Sequence, residues 1–278
     1  MSGIRCDVCP HHCVIQERMT GRCGARICVN DRITDINYGW ITSLALDPVE
    51  KKPLKRFHPG EFVLSVGSYG CNMHCPFCQN ADISQTSGDE VPGRQLFPGD
   101  LVRLATEYRA KPEGNIGIAF TYNEPLVGYE FVYDTARAAK QAGLETVIVT
   151  NGQIEERPLT QLLPHVDAWN IDLKAWNAEF YRWCGGDLDT TKHTIKAAAS
   201  MSHVEVTTLI IPGKNDKPDE MEAEAAWLEE ISPDIPLHIT RYFPRYRTED
   251  IPATPIDTID TLADIAKMHL KYVYKGNC

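Results

Sequence analysis

"GSYGCNMHCPFCQN" (residues 67–80) places three cysteines, Cys71, Cys75 and Cys78, within eight positions. A closed structural zinc site takes four protein ligands, so three thiols leave one position open. The spacing C-x3-C-x2-C can instead wrap a compact loop around an iron–sulfur cube. Each thiolate then sits on its own iron and the fourth iron is left for a small-molecule ligand. Zinc completed by His74, or thiols with no ligand role, are the competing readings. The loop directly follows a strand pattern, "FVLSV" at 62. Parallel α/β sheets and barrels place their active sites at that end of a strand. The location favours an open, reactive cluster.

Downstream, β-rich runs alternate with helical patterns. The runs are "IGIAF" at 116, "ETVIVT" at 145, "DAWNID" at 167, "HVEVTTLII" at 203 and "PLHIT" at 236. Between them lie amphipathic stretches such as "GDLVRLATEYRA", "YEFVYDTARAAKQAG" and "DEMEAEAAWLEEI". With "FVLSV" this makes six β/α repeats, a pattern that predicts right-handed crossovers and a parallel sheet. The repeat order alone fits either an open doubly wound sheet or a curved partial barrel. Upstream, residues 1–38 are cysteine-rich and short of strand-like runs. Residues 39–60, with "DPVEKKPLKRFHPGE", read as a basic connecting loop that reaches the core. The expected division is a small Cys-rich segment, 1–38, and an α/β domain with a C-terminal extension, 39–278.

The later strands carry a polar phase. Trp169, Ile171 and Leu173 alternate with Asn170, Asp172 and Lys174, and a period of two puts each trio on one face. Glu205 and Thr207 alternate with Val204 and Val206, as His238 and Thr240 do with Leu237 and Ile239. A helix-covered parallel sheet is usually apolar on both faces. One polar face on three strands therefore suggests an interior that binds something polar, because buried polar groups need partners. The plainer reading has Asp172 and Lys174 beyond the strand end, paired in solvent.

Composition narrows the class. At 278 residues and 43% hydrophobic, the chain can bury a sizeable core. No apolar run is long enough to span a bilayer. The start "MSGIRCDVCP" lacks the apolar region of a signal peptide, so a cytoplasmic location is expected. Ten cysteines in such a chain point to ligands, redox groups or buried thiols rather than a disulfide framework. A formal net charge of −10 argues against general nucleic-acid binding.

"CNMHCPFC" (71–78), with Phe77 just before its third cysteine, resembles the signature of the radical S-adenosylmethionine (SAM) superfamily. "TYNEP" (121–125) resembles that superfamily's motif for the methionine amino group, usually written with two glycines before Glu. "VTNG" (149–152) and "NIDLK" (170–174) are similar to segments of glycyl-radical-enzyme activases. "TTLIIPGKND" (207–216), "HITRYFPRY" (238–246) and the N-terminal "CDVCPHHC…GRCG" resemble the radical SAM member of the AmmeMemoRadiSam system.

The resemblance implies a partial (β/α)6 barrel in which Cys71, Cys75 and Cys78 hold a [4Fe–4S] cluster chelated by SAM. An electron donor of flavodoxin or ferredoxin type would supply the electron that cleaves SAM to methionine and a 5′-deoxyadenosyl radical. The radical would take hydrogen from a partner protein, a peptide or a small molecule. A glycyl-radical-enzyme activase is the alternative within enzymes, and a non-catalytic electron-transfer or zinc protein the alternative outside them. Glu124 can accept from the SAM ammonium and Lys174 can donate to its carboxylate. Phe77, Asn123, Thr150, Asn151, Asp172 and Thr207 complete the expected SAM site. Glu124 next to Pro125 also reads as a helix-start carboxylate, and the two roles are compatible.

Two positions depart from the activases: Val149 stands where they carry Asp, and Asn170 where they carry Met. These departures weaken the case for the monovalent-cation site associated with that pair, some of whose charge Lys174 can take over. Separately, Cys6, Cys9, Cys13 and Cys23 have the spacing C-x2-C-x3-C-x9-C, followed by Cys28. Four thiols in so short a segment suit a structural zinc knuckle or an auxiliary iron–sulfur cluster, with buried independent thiols as the plain alternative. Cys28, His11 and His12 are secondary candidates. Cys184, before two glycines that read as a helix stop, is expected to be a small buried hydrophobe, and Cys278 a free surface thiol.

Overall fold

The computed structural model describes residues 3–88 and 91–278, so the first two residues of the Cys-rich segment lie outside it. The six predicted strands form as Phe62–Gly67, Gly117–Phe120, Glu145–Thr150, Ala168–Asp172, His203–Ile210 and Leu237–Arg241. They stand side by side in chain order, all parallel. Val273–Gly276 extends this row as a further parallel strand, and Ser43–Pro48 runs antiparallel on the opposite edge. The order of the eight strands never reverses. There is thus no switch point of a doubly wound sheet, and same-handed crossovers put the helices on one face. The sheet is a partial (β/α) barrel.

The period of two decides what each face does. Leu64, Val66, Ile118, Phe120, Ile148, Trp169, Ile171, Val206, Leu237 and Ile239 join the large core under the helices. Three of those helices, Pro98–Arg109, Tyr129–Gln141 and Pro218–Ile231, coincide with the amphipathic stretches of the sequence. Tyr129–Gln141 buries Phe131, Val132, Thr135, Ala136 and Ala139, one stripe of a 3.6-residue period. The helix Ala178–Cys184 starts on the Asn177 cap, whose Oδ1 accepts from Phe180 N at 2.7 Å. Such caps contribute about 1 kcal/mol. It ends at Gly185, in the left-handed conformation at φ 73°, as the paired glycines predicted.

Residues 39–60 are more than a connecting loop. Ser43–Pro48 pairs residue for residue with Phe62–Gly67. The chain then turns into the barrel, where Leu54 and Val49 are buried against Val63, Ala119, Val147 and Ala168. This plug also accounts for part of the polar phase. Glu205, fully buried, accepts from the backbone N–H of Lys55 (2.9 Å) and Arg56 (2.7 Å) and pairs with His203 (3.0 Å) and His238 (2.6 Å). Asn170 donates to Pro53 O at 3.0 Å. The expectation that this face meets a polar ligand therefore needs correction for its lower half, where the ligand is the protein's own backbone. The strand ends above it, from Thr207 and Asp172 upward, remain for other partners.

The N-terminal residues make two short hairpins, Ile4–Arg5 with Val14–Ile15 and Arg26–Val29 with Arg32–Asp35. Their own core is small, Cys6, Ile15 and Cys28. The segment is tied to the barrel by Arg26, whose guanidinium makes a bidentate pair with Glu130, both bonds 2.6 Å.

Candidate functional site

The loop that follows Phe62–Gly67 carries the three thiols at the C-terminal mouth of the sheet. Asn123 shapes its approach: its Oδ1 accepts from Ser68 N (3.0 Å) and its Nδ2 donates to Tyr69 O and Gly70 O (both 3.1 Å). Gly70 has φ +88°, and a Cβ there would lie 2.6 Å from Cys23 O, so the loop needs glycine on both counts. Cys71 Sγ accepts from Met73 N at 3.3 Å and from Asn151 Nδ2 at 3.6 Å. Burial pushes its thiol well above the usual range, and Glu124, Cys75 and Cys78 push it further. Cys75 moves the other way: the Cys184 thiol donates to it and, against the effect of burial, Lys174 favours its charge. Cys78 is raised by burial and by Cys75.

Among the described residues, no three His, Cys, Asp or Glu side chains are arranged to hold a single metal ion. Three thiols on one loop are a donor set that fits a [4Fe–4S] cluster, each thiolate on a different iron and one iron left open. Buried thiols that burial holds protonated are converted to ligands once an adjacent cation favours the thiolate.

Glu124 sits beside the loop, 3% exposed. Its Oε1 accepts from Leu126 N (3.0 Å) and Thr150 Oγ1 (2.7 Å), and its Oε2 from Asn151 N (2.8 Å). It therefore caps the 3-10 turn Pro125–Gly128, as its place before Pro125 suggested. Burial outweighs these donors and lifts its pKa to about 7, with Asp172 adding to the rise. Asn151 links this carboxylate to the thiols, because its Nδ2 also donates to Asn72 Oδ1 at 2.9 Å. On the other side, Lys174 Nζ lies 2.6 Å from Asp172 Oδ2. Burial works against the ammonium, but Asp172 and Cys75 hold its pKa above the usual lysine range. The mouth thus carries a carboxylate zone and an ammonium zone flanking three thiols.

Thr207 and Phe77 complete the expected set. Thr207 exchanges hydrogen bonds with Asn170, 2.9 and 3.1 Å. Phe77 is buried with Phe180 and Trp183, ring centroids 5.8 and 5.5 Å away. Asn170 and Val149, the two departures, supply an amide already bonded to Thr207 and Pro53 and an apolar side chain. Neither is a carboxylate or a thioether.

Four residues here escaped the sequence reading. Cys184 was expected only to fill space, yet it bonds Cys75. Asn72, inside the thiol motif, spans from Asn151 to Gln153 O. Asp47 and Lys52 come from the stretch read as a loop, and both meet Tyr122. Tyr122 OH donates to Asp47 Oδ2 at 2.9 Å and Lys52 Nζ stands 4.8 Å from its ring centroid. Tyr122 has φ +75°, a backbone conformation suited to the glycine usual in this motif.

Residues 65–228 match the profile of the Radical SAM superfamily. The chain is 42% identical over 278 residues to the uncharacterized protein MJ0808 of Methanocaldococcus jannaschii, covering 99% of this chain and 81% of that one. It is 28% identical over 158 residues to the pyruvate formate-lyase 1-activating enzyme of Escherichia coli (strain K12). That match spans 54% of this chain and 61% of the activating enzyme. Among solved structures, Streptococcus suis SuiB bound to S-adenosylmethionine superposes with TM-score 0.59 at 14% identity, over 76% of this chain and 48% of that one. The last shows the fold alone. The chain belongs to the radical SAM superfamily. It is an enzyme of the class that uses a [4Fe–4S] cluster and SAM. Among the described residues no helix is long and apolar enough to cross a membrane.

Proposed function

We propose that Cys71, Cys75 and Cys78 hold the [4Fe–4S] cluster, and that SAM lies between Glu124 and Lys174 at the mouth of the sheet. One observation carries this: three thiols on one strand-end loop stand beside a buried carboxylate, Glu124, and a half-buried ammonium, Lys174, the two charges that a zwitterionic amino acid requires. When bound, the cluster and SAM supply reductive cleavage to methionine and a 5′-deoxyadenosyl radical. The chain's own residues bind, orient and shield. Glu124, already held by Thr150 and Asn151, accepts from the ligand ammonium with its remaining lone pair, and Lys174 donates to the carboxylate. Asn123 and Asn151 fix the loop, Asp172 fixes Lys174, and Thr207 and Asn170 close the floor. Phe77 walls the loop against Phe180 and Trp183.

The substrate in this reading is a partner protein or peptide, with an electron donor of flavodoxin or ferredoxin type. A broad groove lined by Arg22, Cys23, Cys71, His74, Tyr246 and Arg247 opens at the mouth and suits an extended chain. The name of the Escherichia coli relative, an activating enzyme, and the peptide-bound title of the SuiB structure agree with that class. Replacing Cys71, Cys75 or Cys78 by Ala is expected to abolish 5′-deoxyadenosine formation by the anaerobically reconstituted enzyme; wild-type cleavage by any one of them would remove the reading. Deuterium transfer from labelled candidate peptides into 5′-deoxyadenosine, followed by mass spectrometry, tests the substrate class.

A further inference from the structure

The second thiol set is as well placed as the first. Cys6, Cys9, Cys13 and Cys23 all line one pocket, with Arg22, Arg26, His11 and Asn72 among its other walls. Cys28 is not among them: it packs beneath, its Sγ 3.9 Å from Glu17 Oε2. Four thiolates can close on one zinc, each about 2.3 Å from the metal, or spread over the irons of a cluster, so the surroundings of the pocket decide.

A separate feature points to an anion in the same pocket. Arg26 is 4% exposed, its Nη1 and Nη2 are engaged by Glu130, and its Nε–H has no partner. A buried N–H without an acceptor is costly, so a partner is expected there. A four-thiolate iron–sulfur cluster is an anion whose sulfurs accept hydrogen bonds, and such bonds help set its potential.

The pocket also abuts the first thiol set. His11 Nε2 lies 2.7 Å from Asn72 O, and the N–H of that same peptide unit, Met73 N, donates to Cys71 Sγ at 3.3 Å. Cys23 and Cys71 line the same groove, and Cys23 O is in backbone contact with Gly70.

We infer that Cys6, Cys9, Cys13 and Cys23 hold a second iron–sulfur cluster rather than zinc, next to the one assigned to Cys71, Cys75 and Cys78. Its iron content does not depend on the first assignment, so the two fail separately.

The test uses the full chain, reconstituted anaerobically with iron and sulfide and also purified from cells supplied with zinc. The Cys71→Ala, Cys75→Ala, Cys78→Ala triple variant is expected to stay brown and to keep roughly two to four irons with matching sulfide and no zinc. Its reduced form should give an electron paramagnetic resonance signal that SAM leaves unchanged. In the wild type, reduced by dithionite, the signals of two neighbouring clusters should broaden each other, and Cys9→Ser should remove that broadening. Arg26→Gln should lower the midpoint potential of the retained cluster, since a cation and its N–H favour the more reduced, more negative form. One zinc per chain in the triple variant, or neither metal, would overturn the inference. If the triple variant fails to fold, as judged by circular dichroism, the wild type decides. Iron of about six to eight per chain supports the second cluster, and iron limited to about four refutes it.

Discussion

Glu124 is 3% exposed, with three donors on its two oxygens and a pKa lifted to about 7. The donors explain how a carboxylate is tolerated there, and burial explains why its charge still lacks an adequate counterpart. A ligand ammonium would supply one. Glu124→Gln is therefore expected to leave cluster iron and sulfide unchanged while weakening SAM binding at least about tenfold. That loss corresponds to a charge-assisted bond of roughly 1.5–3 kcal/mol. The amide oxygen can still accept from Leu126 N and keep the cap, while its NH2 faces Asn151 N, so unchanged cluster iron is the control that separates loss of charge from a disturbed loop. Equal SAM affinity in equilibrium dialysis would leave Glu124 with capping alone. Tyr122 poses the complementary case, a bulky side chain at φ +75°. Its hydroxyl bond to Asp47 and its contact with Lys52 help hold that backbone. Tyr122→Phe should lower the stability measured by urea denaturation by about 1 kcal/mol, the usual net value of one hydrogen bond. An unchanged midpoint would mean that backbone packing alone maintains the conformation.

At the scale of elements, the plug formed by residues 49–60 is held by a buried acid. Burial alone would raise the pKa of Glu205, but His203, His238 and the amides of Lys55 and Arg56 outweigh it and hold it at about 2. The folded pKa lies below the unfolded one. This stabilisation is therefore complete above about pH 4.5 and is lost as pH falls toward 2, about 3 kcal/mol in all. Glu205→Gln should be less stable than wild type above pH 5, with the gap closing as the medium is acidified. A gap that stays constant from pH 7 to 3 in urea titrations would show that the charge contributes nothing. The same element marks how far the sequence could be read. Alternation revealed that Glu205, Thr207 and His238 face inward, because period two is a property of the strand itself. It could not reveal that residues 49–60 fold back to meet them, since a partner distant in sequence leaves no local periodicity. Cys184 and Asp47 escaped for the same reason, whereas the grouping of Cys71, Cys75, Cys78 and Glu124 was legible because each lies just past the end of a strand that the pattern reveals.

For the whole molecule, the six parallel strands and their helices were legible from six repeats, while the choice of partial barrel over doubly wound sheet was not. That choice lies in which strands neighbour each other, and composition is silent on it. The edge strands Ser43–Pro48 and Val273–Gly276 were missed because "SLALDP" and "VYKG" are mostly half-buried and lack the continuous buried run of the inner strands. The Cys-rich segment adds a question of assembly, since its own core is only Cys6, Ile15 and Cys28 with a few partly buried neighbours. So small a core needs the barrel or an ion to hold it. The barrel's contribution centres on Arg26, nearly buried, and Glu130, whose side chain is 40% exposed. Removing one member of a buried ion pair costs about 3–5 kcal/mol because the other charge is stranded. Exposure of Glu130 to solvent screens part of that, so Glu130→Gln should cost about 1–2 kcal/mol. Because Glu130 lies on the helix Tyr129–Gln141 and its partner on the hairpin Arg26–Val29, the loss should fall on docking rather than on the barrel. Hydrogen exchange should quicken across residues 14–35 in Glu130→Gln while the strands Glu145–Thr150 and Ala168–Asp172 keep their protection. Exchange that quickens equally in both regions would show that segment and barrel unfold as one unit.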